Sequence, residues 1–251
     1  MTQESNFAPE APCPIGIAQT LAFVLKHIQR PASILEVGAG KGQLAHYLQK
    51  EGFELLAIDA DPQAVESARS LGINVQEAEF LNFQSKQQYD ALIFSRSFHH
   101  IQPLEKTLAK CKSLLKPGGL LLLEEFAAEE MDEQTALWFF GLVLLVSRRN
   151  PERKMHGPKL ENFEIPKDVM KSWNEHHFGK HHVASAAQMR AAVAGELEIL
   201  VEERGPYLYL YFWEYLSPQE AEDILRWEER LCSRGFLQSI GYRIVAAKAA
   251  Q

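Results

Sequence analysis

The sequence predicts an α/β fold: a mostly parallel sheet covered by helices on both faces, interrupted by a helical insertion. Three observations predict it. Between residues 33 and 126, short apolar runs alternate with helix-patterned segments, as parallel β-α-β units require. A glycine-rich turn, Gly38-Ala39-Gly40-Lys41-Gly42, follows the first apolar run. Residues 127–183 then carry no strand signal at all.

In chain order, residues 1–13 lack periodicity and read as a flexible N-terminus. Ile15, Leu21, Val24, Leu25 and Ile28 recur at helical spacing and predict one helix. Residues 33–37 predict a strand, 42–51 a helix and 54–58 a second strand. A helix over 62–70 begins with proline, which suits a first helical turn. Residues 74–77 and 89–95 predict strands three and four, and 103–115 a helix. The stretch "KPGG" breaks the chain before a fifth strand over 120–125. The insertion holds an apolar helix around 138–146, a basic proline-containing stretch and the histidine cluster "NEHHFGKHH". A helix over 185–193 leads into strand-like sequence in which Tyr207, Tyr209 and Tyr211 alternate with Leu208, Leu210 and Phe212. A helix over 218–233 and the strand "GYRIVAAKA" close the chain. Residues 14–126 and 184–251 thus form the sheet domain, and 127–183 the insertion.

Composition narrows the function. The net charge of −7 steers phosphate backbones away and counts against nucleic acid. Cys13, Cys111 and Cys232 are few, odd in number and far apart, which argues against a disulfide framework and fits a reducing, cytoplasmic setting. The N-terminal residues lack the pattern of a signal peptide. The most apolar run, residues 136–146, is 11 residues long. A membrane span needs about 20.

The glycine turn tests three templates. A phosphate loop needs glycine at 35 and Ser or Thr at 42, where the chain has Leu35 and Gly42. A dinucleotide fingerprint needs a small residue at 43, where the chain has Gln43. G-x-G-x-G fits, with Glu36 two places before its first glycine.

On these residues the chain resembles the class I S-adenosylmethionine-dependent methyltransferases. The resemblance continues through "LLAIDADP", "VQEAEFLNF", "YDALIFSRSFHHI" and "LLKPGGLLLLEE", and covers roughly residues 33–126. It implies a Rossmann-like, seven-stranded, mostly parallel sheet with the last strand antiparallel, and a helical lid at 127–183. It implies S-adenosyl-L-methionine as cofactor. Glu36, Gly38, Ala39, Gly40 and Gly42 would flank its methionine end, Asp59 and Ala60 its ribose, and Glu77 and Ala78 (with Phe80) its adenine. Ser95 and Arg96 would lie beside the transferring methyl. Side chains at Gly38 and Gly40 would block the backbone's approach to such a ligand. Lys41 departs from the small hydroxyl residue common there.

For the transfer step, His99, His100, His177 and His181 are candidate bases, and Arg96, Phe139, His182 and Tyr207 candidate walls of a substrate pocket. The loop after strand four lacks the N-P-P-Y type sequence of enzymes that methylate amino groups of nucleic acids. His176, His177, His181 and His182 have no paired Asp or Cys to complete a metal ligand set, so no metal is expected. Trp138, Phe139, Phe140, Leu142, Leu144 and Leu145 make the insertion helix apolar all round, which predicts burial on most sides, as lid core, pocket wall or homodimer interface. The leading expectation is methylation of a small molecule. Methylation of tRNA or protein stays open, because eight Lys and Arg lie in residues 148–180. So does a cofactor-binding regulator without catalysis.

Overall fold

The computed structural model describes residues 13–153, 155, 157–158, 160, 163–180 and 183–250, with only the backbone at Lys180. Helices α1 (Ile15–His27), α2 (Gln43–Lys50), α3 (Pro62–Ser70) and α4 (Leu104–Leu114) intersperse with strands β1 (Ser33–Val37), β2 (Glu54–Asp59), β3 (Val75–Glu77), β4 (Tyr89–Ser95) and β5 (Leu115–Phe126). Then come α5 (Glu133–Arg149), α6 (Val169–Asn174) and a π-helical turn, Glu175–Lys180. α7 (Ala186–Glu196), β6 (Glu198–Gly205), α8 (Pro218–Ser233) and β7 (Gly241–Ala247) complete the order.

The seven strands form one sheet in the order β3-β2-β1-β4-β5-β7-β6. Only β7 runs against the rest, pairing antiparallel with both β5 and β6. β1 and β4 are neighbours whose chains leave in opposite directions. In an open α/β sheet that switch point is where ligands bind, outside the carboxyl ends of the strands.

Packing explains why the strands read so plainly. All five residues of β1 are buried, Leu35 and Val37 on one face and Ile34 on the other. β4 and β5 divide in the same way: Leu92, Phe94, Leu121 and Leu123 face one core, Ala91, Ile93 and Leu122 the second. Burial on both faces needs continuous apolar runs rather than alternation. Local capping sets the helix starts. Asp61 accepts the Gln63 amide ahead of α3, and Ser185 and Ser217 form capping boxes with Gln188 and Glu220 ahead of α7 and α8.

Three expectations are corrected. β5 begins at Leu115, so "KPGG" lies within the strand as an irregularity: Tyr89 pairs with Leu115, but Ala91 with Leu120. Tyr207, Tyr209 and Tyr211 do not alternate along a strand, because β6 ends at Gly205 and Leu208–Tyr211 is a 3-10 turn. Pro206 has no N–H to give a ladder. The Glu228 carboxylate of α8 takes the amides of Tyr207, Leu208 and Tyr209 at 2.7, 2.8 and 2.8 Å in place of a neighbouring strand. Finally, α5 is not buried all round, since Leu137 and Leu145 are 49% and 65% exposed. Its other face joins a third core with Phe126, Met131, Val169, Trp173, Tyr207, Leu208, Phe212 and Ile240. That core lies over the ends of β5, β6 and β7, and it draws on residues 207–216 as well as on the insertion.

Candidate active site

The glycine turn joins β1 to α2, and each glycine has its own reason. Gly38, Gly40 and Gly42 all have positive φ, at 73°, 55° and 78°. A Cβ on Gly38 would lie 2.4 Å from the Ser97 Cβ, and one on Gly42 2.7 Å from the Ala68 Cβ. A Cβ on Gly40 would meet nothing within 4 Å, so there the turn faces open space. Gly38 and Ala39 donate to the Ile58 carbonyl at 2.9 and 3.2 Å. Gly40 donates to Asp59 Oδ2 at 2.7 Å, and Asp61 to Asp59 Oδ1 at 2.9 Å. The carboxylate at the end of β2 thus holds the turn and keeps further lone pairs for a ligand.

β2 and β3 pair so that Asp59 stands beside Glu77. Glu77 and Ala60 are exposed, and the Ala78 amide donates to the Asp59 carbonyl at 2.9 Å. Phe80 is 4% exposed and packs edge-on against Phe94 as core. Lys41 is exposed. Glu36 is 3% exposed, and its Oε2 has no hydrogen-bond partner. Burial pushes its pKa up to about 8, with Arg96 opposing and Asp59 adding to the rise. An orphaned buried carboxylate oxygen is a placed acceptor for a cation. Glu36, the open ground over Gly40 and the paired acids at 59 and 77 fit S-adenosylmethionine from its ammonium to its adenine.

The loop after β4 rests on two buried acids that the sequence reading missed. Glu125 Oε1 accepts the amides of Ser97 and Phe98 at 3.0 and 2.7 Å, and its Oε2 takes His99 Nδ1–H at 2.5 Å. Glu124 accepts from Ser95 at 3.1 Å, from Thr20, and from Arg243 of β7 at 2.5 and 3.0 Å. Two adjacent acids ending an otherwise apolar strand were the available signal. Arg96 between them has φ 60°, rare for a side chain of its size, and its amide donates to the Glu124 carbonyl at 2.7 Å. Among the described residues nothing lies within ion-pair range of its guanidinium, though its charge acts on Glu36, Tyr207 and Tyr209.

Arg96 also borders a cavity of about 260 Å³ between this loop and the third core. The cavity brings together four of the predicted residues, Arg96, His99, His100 and His177, with Tyr207 as a fifth. His99 is 5% exposed, while His100 is exposed with its ring 4.0 Å from that of His99. Tyr207 stacks on Phe126 at 4.7 Å, and burial raises its pKa well above the usual phenol value. Phe139 does not border the cavity. It is 1% exposed and supports Tyr211 and Trp173 from behind. His181 and His182 lie outside the described residues.

Fold, switch point and acid set define a nucleoside-binding α/β domain of the methyl-donor type. The Methyltransferase domain family model matches residues 14–155, and the chain belongs to that family. An uncharacterized methyltransferase of Staphylococcus carnosus (strain TM300) is 32% identical over 112 residues, 43% of this chain and 54% of its own length. A ubiquinone biosynthesis O-methyltransferase of Xanthomonas campestris pv. campestris (strain B100) is 31% identical, over 41% of this chain and 47% of its own. The chain thus spans about half the length of the curated relatives it matches. The N-methyltransferase NodS of Bradyrhizobium japonicum WM9, solved with S-adenosyl-l-homocysteine, shares the fold. Its TM-score is 0.53 at 14% identity, covering 92% of this chain and 85% of that one.

Proposed function

We propose that this chain transfers a methyl group from S-adenosylmethionine to a small-molecule acceptor held in the 260 Å³ cavity beside Arg96. The observation that carries this reading is the continuity at Arg96. Its loop reaches the glycine turn, where Ser97 Oγ donates to the Val37 carbonyl at 2.6 Å, and Arg96 itself borders the cavity. When bound, the donor supplies a methyl group on a sulfonium, open to in-line displacement.

The chain's own residues do the positioning. Glu36 receives the donor's ammonium, Asp59 the ribose hydroxyls and Glu77 the adenine amino group, with Gly40 leaving room for all three. Glu125 fixes the loop 97–99, so the cavity wall is rigid where the methyl must pass. Good alignment of this kind is worth ~7–11 kcal/mol. The residues over the cavity, from the turn 175–180 and from 207–215, backed by Phe139 of α5, act as the lid that keeps water out. The name of the Xanthomonas relative supports a small acceptor. The basic stretch supports nucleic acid less than its composition suggests: Arg149 pairs with Glu220, Lys171 with Glu175, and Arg153 lies 4.9 Å over the Tyr215 ring.

The deciding experiment combines calorimetry with labelling. S-adenosylhomocysteine should bind the folded chain, and donor carrying a labelled methyl should label a metabolite of a cell extract. No binding, with Asp59 folded and accessible, would overturn the reading. Binding without turnover over any metabolite fraction would replace it with a regulator, and label in RNA or protein with a macromolecular enzyme.

A further inference from the structure

One of the cavity's buried histidines has surroundings that fix what it can do. His177 is 2% exposed. Its Nδ1 lies 3.0 Å from the Trp173 carbonyl oxygen, and its Nε2 3.0 Å from the Tyr211 hydroxyl. A carbonyl oxygen only accepts, so Nδ1 carries the proton, and in the neutral ring Nε2 is left as an acceptor. Tyr211 therefore donates to His177, and its oxygen is free to accept a proton from the cavity. Both residues border that cavity.

Neither ring has freedom to leave this arrangement. Trp173 is fixed by its Nε1–H donating to the Ala128 carbonyl at 2.9 Å, and its ring lies 3.9 Å from that of His177. Tyr211 meets Phe139 edge-on at 5.1 Å. On another side it lies against Gly157, where a Cβ would come within 2.7 Å of the Tyr211 ring. Burial raises the pKa of Tyr211, so the phenol is not a standing base. It can still pass a proton on, giving its own to His177 as it takes another.

We infer that Tyr211 and His177 form a proton relay that deprotonates a phenolic hydroxyl of the acceptor during methyl transfer. The inference rests on the function proposed above and goes on to name the acceptor atom. The step balances. The acceptor oxygen bonds to the methyl carbon as the carbon–sulfur bond breaks and its electron pair stays on sulfur. The acceptor's proton moves to Tyr211 Oη, and the Tyr211 proton to His177 Nε2. The positive charge that began on the sulfonium ends on an imidazolium that donates to Trp173 and lies against its ring. A phenol suits the relay, because its proton then passes between two phenol oxygens in one cavity, where burial raises the pKa of both. A neutral amine needs no such acceptor before it attacks. The flat walls formed by stacked Phe126 and Tyr207 suit an aromatic ring. Among the described residues, the charged and titratable groups facing the relay are His176 beside it, and Arg96, His99, His100, Tyr207, Glu214 and Tyr215 around the cavity.

The test uses 4-nitrophenol, whose phenolate absorbs in the visible, titrated on the full-length chain saturated with S-adenosylhomocysteine. The bound probe should ionise at least one pH unit lower on the wild type than on Tyr211→Phe, a tenfold effect. His177→Gln should match Tyr211→Phe, and His99→Gln should keep the shift. The imidazole ¹⁵N shifts of His177 give a second reading, losing their Nε2 hydrogen bond in Tyr211→Phe, which removes one oxygen and keeps the ring. A probe that does not bind, an equal shift in Tyr211→Phe, unchanged ¹⁵N shifts, or a shift lost only in His99→Gln would each overturn the relay. Cofactor affinity is measured in the same samples. If the wild type binds no S-adenosylhomocysteine, the functional reading has failed rather than the relay.

Discussion

Glu36, one residue before the end of β1, is a buried acid that has an oxygen to spare. Burial holds its carboxyl near pH 8, against 4.5 for an ordinary one. A raised carboxyl pKa means that the folded chain binds the proton more tightly than the unfolded chain. Its contribution to stability is therefore fully present below pH 4.5 and is lost as pH rises through about 8. A cationic amino group beside Glu36 reverses the preference and favours the carboxylate. Binding of S-adenosylhomocysteine at pH 7 should therefore release a proton. Affinity should climb between pH 6 and pH 7.5 by up to about tenfold per unit. Calorimetry in two buffers of different ionisation heat measures the proton. Glu36→Gln should flatten the slope, and an unchanged slope in that variant would remove Glu36 from the site. The placement of Glu36, Gly38, Gly40, Asp59 and Glu77 along one edge of the sheet was legible in the sequence, because each stands at a fixed offset from a strand end. Glu125 and Tyr211 were not. The partners of Glu125 lie 26 to 28 residues away, and the partner of Tyr211 lies 34 residues away. No local spacing records either contact.

The parallel strands were legible as elements because burial on both faces writes them as unbroken apolar runs. The segment 207–211 was not, because its conformation is decided by Glu228 on α8. That carboxylate is fully buried and accepts three amides, and burial raises its pKa to about 7 against the hydrogen bonds that lower it. Glu228→Ala would strand three donors, all of them on buried residues, Tyr207, Leu208 and Tyr209. At ~1–3 kcal/mol for each unsatisfied group, a loss of ~3 kcal/mol or more is expected in urea melts. Glu228→Gln keeps one acceptor and should cost less. With a folded pKa above the unfolded one, the wild type should lose stability as pH rises from 4.5 through 7. Glu228→Gln should lose that part of the dependence. Melts of both chains at pH 5 and pH 7.5 compare the two slopes, and parallel slopes would mean that Glu228 does not titrate in this range.

At the scale of the molecule, the sheet order divides the labour. The ends of β1, β2, β3 and β4 carry the proposed donor cleft, while the ends of β5, β6 and β7 carry the third core and the cavity wall. Arg96 and the loop fixed by Glu125 stand between them. A ligand confined to the donor cleft should therefore stabilise the fold without depending on how well the third core is packed. S-adenosylhomocysteine at a hundred times its Kd should add about 2.7 kcal/mol, which for a chain of this size raises Tm by roughly 5–10 °C. Asp59→Ala should abolish that rise, since the same carboxylate holds the turn and, in the proposed site, receives the ribose hydroxyls. Trp173→Ala should lower the starting Tm, because it removes a fully buried ring at a cost of ~3–5 kcal/mol. It should nonetheless leave the increment from S-adenosylhomocysteine within a degree or two of the wild type's. Thermal melts of the three chains with and without ligand decide it. If Trp173→Ala loses the increment as Asp59→Ala does, donor cleft and third core form one cooperative site, and the division of the sheet into two working halves is wrong.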